Sequence, residues 1–113
     1  MIEGRDNSIP DKSYWDLYRN AERDHHDLIT ALAQEVRDYA SGRNEFNSTA
    51  ARREILVRWP RRDEYNRLFP DRTGSQLFGM VAMMAMINDN ATWSTKQETV
   101  KGRLVRVYSR ASE

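Results

Sequence analysis

The chain has 113 residues, a net charge of +1 and no cysteine. This length suits one small domain, and the missing thiol excludes disulfides, thiolate zinc sites and cysteine nucleophiles. Charged residues make up 31% of the chain, so we expect a charge-covered globule, and we expect a cytoplasmic location.

The first five residues, Met1–Arg5, resemble an initiator methionine followed by an engineered protease site. Ile-Glu-Gly-Arg is similar to the recognition sequence of factor Xa. We therefore exclude Met1–Arg5 from functional reasoning and assign a single domain to residues 6–113.

An amphipathic pattern predicts one long helix over Ser13–Tyr39. Its apolar side recurs at helical spacing and includes Tyr18, His25, Leu28, Ile29, Leu32, Val36 and Tyr39. Ser13 is expected to cap the helix, and Gly42 is expected to end it. A helix of this length in a small domain often packs against a second copy of itself or against a partner.

Proline and capping residues divide the middle of the chain into three shorter helices. The predicted elements are a loop at Arg43–Asn47, helices at Ala50–Arg58 and Arg61–Leu68, a turn at Asp71–Gly74, and a helix at Ser75–Ile87. Ser48 or Thr49 is the expected cap of the second helix, and Thr73 or Ser75 that of the fourth. The fourth helix is apolar on all sides, which predicts the buried centre of the domain or of an oligomer.

The last part of the chain predicts a β-hairpin. Thr92–Thr95 and the alternating residues of Arg103–Tyr108 are typical of strands, and Lys96–Gly102 would join them as a loose loop. The predicted fold is mainly α: one small domain of about four helices, the first one long, followed by a C-terminal β-hairpin. This order of elements resembles a winged-helix architecture, with the hairpin as the wing.

The cations of residues 51–113 are the main candidates for function. This part has twelve basic and seven acidic side chains, whereas residues 1–50 have six and ten. Arginine binds phosphate bidentately, and Trp59, Tyr65 or Phe69 could stack on bases. The candidate nucleic-acid-binding residues are Arg52, Arg53, Arg58, Arg61, Arg62, Arg67, Arg72, Lys96, Lys101 and Arg103.

The alternative is that these aromatic residues are core and that the arginines pair with the acidic first helix at Asp16, Asp27 and Asp38. The fourth helix has no charged residue from Ser75 to Ile87, so it cannot read base edges. It is instead the candidate for an interface with a protein partner or a second copy. The interface candidates are Leu77, Phe78, Met80, Met83, Met84 and Ile87.

The sequence shows no catalytic or cofactor motif. His25 and His26 are the only histidines, and adjacent residues point about 100° apart on a helix. A Glu22–His26 pair supplies only two metal ligands. We therefore expect no catalytic residue, metal or cofactor, and Leu77–Ile87 is too short to span a membrane. The leading hypothesis is a regulatory or accessory protein that binds a protein or itself through the first and fourth helices; the alternative is a DNA- or RNA-binding protein.

Overall fold

The computed structural model describes residues 12–88 and 93–110, which form five helices and one three-stranded sheet. The elements in chain order are α1 (Lys12–Asp24), α2 (His26–Ser41), β1 (Glu45–Asn47), α3 (Ser48–Arg58), α4 (Arg62–Leu68), α5 (Asp71–Ile87), β2 (Trp93–Val100) and β3 (Arg103–Arg110). The prediction of a mainly α fold with a C-terminal hairpin is confirmed. Met1–Arg5 and Thr92 lie outside the described residues.

The predicted first helix is two helices, because the backbone bends at His25. The φ and ψ of His25 are −137° and 49°, outside the helical region. Hydrogen bonds still cross the bend, from His25 N–H to the Ala21 carbonyl and from Ile29 N–H to the His25 carbonyl. The His25 ring packs edge-on against Phe69, with centroids 5.6 Å apart. Since the apolar spacing continues through the bend, the pattern gave no sign of it.

The residues that were predicted to cap α1, α3 and α5 do not occupy the cap positions. Ser13 lies inside the first turn of α1, which already includes Lys12. The side chain that caps α3 is Asn47, whose Oδ1 accepts a hydrogen bond from Ala50 N–H at 2.7 Å, so neither Ser48 nor Thr49 is the cap.

The turn predicted at Asp71–Gly74 is the first turn of α5. Pro70 takes the N-cap position, and Asp71 has a φ of 56°, a left-handed conformation that aspartate tolerates. Gly74 then packs closely on α4: a methyl group there would collide with the Phe69 carbonyl oxygen. The Tyr65 hydroxyl donates to the Gly74 carbonyl at 2.6 Å. These tertiary contacts extend α5 beyond the start that local patterns predict.

Helix α5 forms the centre of the core, as its apolar sequence predicts. It packs against α1, α2, α3 and α4. Leu77, Phe78 and Val81 are buried there, and Leu32 and Val36 of α2 are fully enclosed. Each such side chain contributes about 1.5–3 kcal/mol of burial free energy. None of the helices in the described ranges has the length and apolar character needed to cross a membrane.

The sheet is antiparallel, with β3 between β1 and β2. Strand β1 lies in the segment predicted as a loop; it has only three residues, too few for an alternating pattern. Its Phe46 stacks on Tyr108 at a centroid distance of 5.2 Å. The hairpin turn is also tighter than predicted: Lys101 and Gly102 have φ values of 52° and 78°, so two residues with positive φ reverse the chain.

Arg110 fixes the end of β3 to the end of α2. Its guanidinium donates to the carbonyls of Ala40 and Arg43, both at 3.2 Å, where a cation also complements the helix dipole. The same group lies 4.5 Å from the centroid of the Trp93 ring. The sheet is therefore held against the helices, and this places Arg103 near α3 and α5.

Candidate functional site

The ten predicted cations divide into two groups by ion pairing. Four of them pair with carboxylates: Arg58 with Glu35, Arg61 with Glu64, Arg62 with Asp63, and Lys96 with Glu98, at 3.3, 2.9, 3.7 and 3.0 Å. The other six, which we call the free cations, have no ion pair with any described residue: Arg52, Arg53, Arg67, Arg72, Lys101 and Arg103.

Pairing neutralises the four without burying them. The hydrogen bond from Arg61 lowers the pKa of Glu64, although partial desolvation opposes this shift, so the carboxylate stays charged at neutral pH. Likewise, the hydrogen bond to Glu98 raises the pKa of Lys96. Exposed pairs of this kind contribute little to stability, because water and salt screen the two charges. Because these four cations are already neutralised, only the other six of the ten are available to an outside anion.

Two of the free cations converge on one cleft between α3, α5 and the hairpin. This basic cleft has a volume of 140 Å³ and is lined by Ser48, Thr49, Arg52, Ser75, Phe78, Gly79 and Arg103. None of the described residues that line it carries a carboxylate. Apart from its chain neighbours and its own helix backbone, no described atom lies within 4 Å of the position that a methyl group at Gly79 would take, so the α5 side of the cleft is open. The basic cleft therefore presents two arginines to an incoming anion.

A second cleft adjoins the basic cleft and shares Arg52 and Ser75 with it. This mixed cleft has a volume of 300 Å³, and its further lining residues are Leu56, Tyr65, Asn66, Phe69, Pro70, Asp71 and Gly74. One wall is therefore apolar, whereas Asn66 and Asp71 supply an amide and a carboxylate. We call the two clefts together the groove: Arg52 and Ser75 line both clefts, Arg103 lines only the basic cleft, and Asp71 lines only the mixed cleft.

A third cavity lies at the bend between α1 and α2. Its 330 Å³ are lined by Arg23, Asp24, His25, His26, Asp27, Leu28, Arg61 and Glu64. Four of the charged side chains of this cavity form two ion pairs: Arg23 pairs with Asp24 at 2.9 Å, and Arg61 pairs with Glu64 at 2.9 Å. His26 does lie 2.8 Å from Glu22, but nowhere in the described ranges do three potential metal ligands come together.

The proposed base-stacking residues are core residues, which corrects that part of the prediction. Trp59, Tyr65 and Phe69 are 4, 0 and 9% exposed, and they contact one another at ring-centroid distances of 6.1 and 5.4 Å. Burial raises the pKa of Tyr65 well above its usual value. Enclosed aromatic rings cannot stack on bases.

The alternative prediction of pairing with the first helix is right in kind and wrong in its residues. None of Asp16, Asp27 and Asp38 forms an ion pair with the arginines of α3 or α4. Asp16 pairs with Lys12, and Asp38 accepts a hydrogen bond from Gln34. The contact from α3 to α2 is made instead by Arg58 and Glu35.

Four of the six interface candidates are also core residues. Leu77, Phe78, Met80 and Met83 are between 0 and 8% exposed within a single chain, so a partner cannot reach them without opening the fold. Met84 is half-buried and Ile87 is 65% exposed. A self-association surface on α5 is thereby reduced to the end of the helix.

Sequence reasoning identified Arg52 and Arg103 as candidates and missed the other polar residues of the groove as site residues, namely Ser48, Thr49, Asn66, Asp71 and Ser75. Ser48, Arg52 and Leu56 are spaced four apart, which places them on one face of α3. Ser75 and Gly79 have the same spacing on α5. These positions contain a signal, but it becomes visible only when the two helices are known to face each other.

Comparison with protein-family models, with curated proteins and with solved structures finds no match to this chain. The assignment of a function therefore depends on the charge and shape of the groove.

Proposed function

We propose that this protein is a non-enzymatic nucleic-acid-binding protein that contacts the phosphate backbone through the free cations around the groove. The observation that carries the proposal is that Arg52 and Arg103 line one cleft to which the described part of the chain contributes no carboxylate. Two like charges that share a cleft repel each other, and an anion between them removes that repulsion. The guanidinium fork matches the oxygens of a phosphate.

Three of the four remaining free cations lie on the elements that border the groove. Arg53 follows Arg52 on α3, Arg72 lies in the first turn of α5, and Lys101 lies in the hairpin turn. All three are exposed. A flexible polyanion such as DNA or RNA can contact cations on several elements at once, whereas a small anion cannot.

The contacts should be to phosphates and not to base edges. Helix α5 would be the recognition helix of a winged-helix protein, but it has no charged side chain after Arg72, and most of its length is buried. Direct readout of a base sequence requires polar side chains that reach the base edges in the major groove of the duplex. We therefore expect weak sequence preference and a strong dependence on salt.

The direct test is a fluorescence anisotropy titration of labelled single-stranded and duplex DNA and RNA at 50 and 200 mM salt. Arg52→Gln/Arg103→Gln removes two free cations, one on α3 and one on the hairpin. The matched control, Arg58→Gln/Lys96→Gln, removes two paired cations from the same two elements. We expect the first variant to lose most of its affinity and the control to lose little. Absence of binding by the unaltered protein at 50 mM salt would refute the proposal.

Self-association through α5 is the second candidate, because Ile87 is a large apolar residue with 65% of its surface exposed. A light-scattering mass above that of one chain, reduced to one chain by Ile87→Lys, would support this candidate. Ile87 lines neither cleft of the groove, so this variant should bind nucleic acid normally.

A further inference from the structure

We infer that the groove holds one unpaired nucleotide of the bound strand, with its phosphate in the basic cleft and its nucleoside in the mixed cleft. This inference rests on the proposed function and adds the unit that the groove recognises and its orientation. It follows from three features: the sizes of the two clefts, the separation of charge between them, and the position of Arg52 in both.

The sizes of the clefts suit the two parts of a nucleotide. Small-molecule sites begin at roughly 300 Å³. The mixed cleft reaches that size, with 300 Å³. The basic cleft, with 140 Å³, is too small for a base with its sugar and suits a single group such as a phosphate. Because Arg52 lines both clefts, one ligand can extend from one to the other past this side chain.

The basic cleft supplies donors of the kind that a phosphate requires. Arg52 and Arg103 provide charge, and neither has an ion pair with a described residue. Ser48, Thr49 and Ser75 add three hydroxyl groups, and none of these hydroxyls has a hydrogen-bond partner among the described residues. Four or more donors around one small volume match the oxygens of a phosphodiester.

The mixed cleft is less positive than the basic cleft, because the carboxylate of Asp71 offsets the charge of Arg52, and it therefore attracts a phosphate less strongly. Asp71 is exposed at its edge, where its carboxylate can accept a hydrogen bond from an amino group of a base or from a sugar hydroxyl. Asn66 is also exposed, and its amide can both donate and accept. Leu56 and Pro70 provide an apolar wall for the face of a base. The charges of the groove therefore determine the direction in which a nucleotide binds.

A base in this cleft must be free of its complement. In a duplex, the hydrogen-bonding edge of a base is occupied, and its removal from the stack costs a few kcal/mol. In a single strand or an overhang this cost is largely absent. The groove should therefore give the protein a preference for strands that offer an unpaired nucleotide.

The first experiment maps the groove by NMR on the full chain, with inorganic phosphate and with adenosine and cytidine monophosphates as probes. Phosphate should shift the amides around Ser48, Arg52 and Arg103. The nucleotides should shift the same amides and, in addition, the backbone amide of Asp71 and the side-chain amide of Asn66. The inference is overturned if nucleotides and phosphate shift the same resonances, or if nucleotides shift none in the groove.

The second experiment compares a blunt duplex with the same duplex bearing a short single-stranded overhang. We expect tighter binding of the overhang, and we expect Asn66→Ala/Asp71→Asn to reduce that preference by about tenfold, as the loss of one to two hydrogen bonds implies. Asparagine at position 71 still tolerates the positive φ. The matched control is Asn20→Ala/Asp27→Asn, which makes the same chemical changes at exposed residues outside the groove without removing an ion pair between described residues.

The outcomes separate this inference from the proposed function. Salt-sensitive binding with equal affinity for blunt and overhang duplexes would refute the nucleotide site and leave backbone binding in place. Nucleotide shifts in the groove without binding of any strand would refute the proposed function and leave a site for free nucleotides. If neither nucleotides nor strands bind at low salt, both proposals are wrong.

Discussion

The division between free and paired cations predicts the salt dependence of binding. Each phosphate contact on duplex DNA contributes about −0.9 to the slope of log K against log salt concentration, so six free cations give a slope of at most about −5, whereas all ten would give about −9. A slope of −5 corresponds to roughly a thousandfold loss of affinity between 50 and 200 mM salt.

Removal of two free cations should change this slope by a defined amount. Arg52→Gln/Arg103→Gln should make the slope shallower by about 2, and the loss of affinity between the two salt concentrations should fall to roughly a hundredfold. The assay is an anisotropy titration at four or more salt concentrations, with a thermal melt of each variant to confirm the fold.

The control defines the result that would refute the reasoning. Arg58→Gln/Lys96→Gln should leave the slope within about 0.5 of the unaltered value, because Glu35 and Glu98 already neutralise these cations. If this control lowers the slope as much as the first variant does, ion pairing does not select the contacts and the argument fails. A slope near zero would refute phosphate binding altogether.

Four further predictions concern stability, measured by urea or thermal unfolding. Gly74→Ala should destabilise the fold by about 1–3 kcal/mol, because the new methyl group meets the Phe69 carbonyl. Gly79→Ala has open space around the new methyl group and should instead stabilise the fold by up to about 1 kcal/mol through the higher helix propensity of alanine. Tyr108→Phe should be neutral or stabilising, since the buried hydroxyl has no hydrogen-bond partner among the described residues; a clear loss of stability would show that the hydroxyl is bonded. Burial raises the pKa of Tyr108 from 10.0 to about 12, so stability should be full below pH 10 and fall as the pH rises to 12, and less steeply in Tyr108→Phe. Lys101→Asn should stabilise the hairpin by a few tenths of a kcal/mol, because asparagine tolerates a positive φ better than lysine does; no gain would argue against this turn.

The elements that the sequence predicts well are those with a strong local pattern. The apolar run of α5 and the alternation at Arg103–Tyr108 each specify their own structure, and both are present. The bend at His25 has no such pattern, because the apolar spacing of the sequence continues across it without interruption. Strand β1 depends on Phe46 finding Tyr108, a contact between distant parts of the chain that no local window contains.

The candidate site was predictable in composition and not in arrangement. The cluster of arginines around Trp59 indicates a cationic segment, but burial of this ring and the pairing of Arg58 with Glu35 depend on how α3 packs on α2. The basic cleft joins Arg52 to Arg103, which are brought together by the sheet. Charge alone could not distinguish the six free cations from the four paired ones.

The central position of β3 has a consequence for how the molecule folds. The tight turn lets β2 and β3 associate quickly, on the microsecond scale, but Glu45 can pair with Ser109 only after closure of a loop that spans more than half of the chain. Docking of the hairpin onto β1 should therefore be a late step, and it is the step that brings Arg103 to Arg52. An anion that bridges these two arginines would bind only molecules that have completed this closure, and by mass action it would lower the fraction of molecules in which the hairpin is undocked.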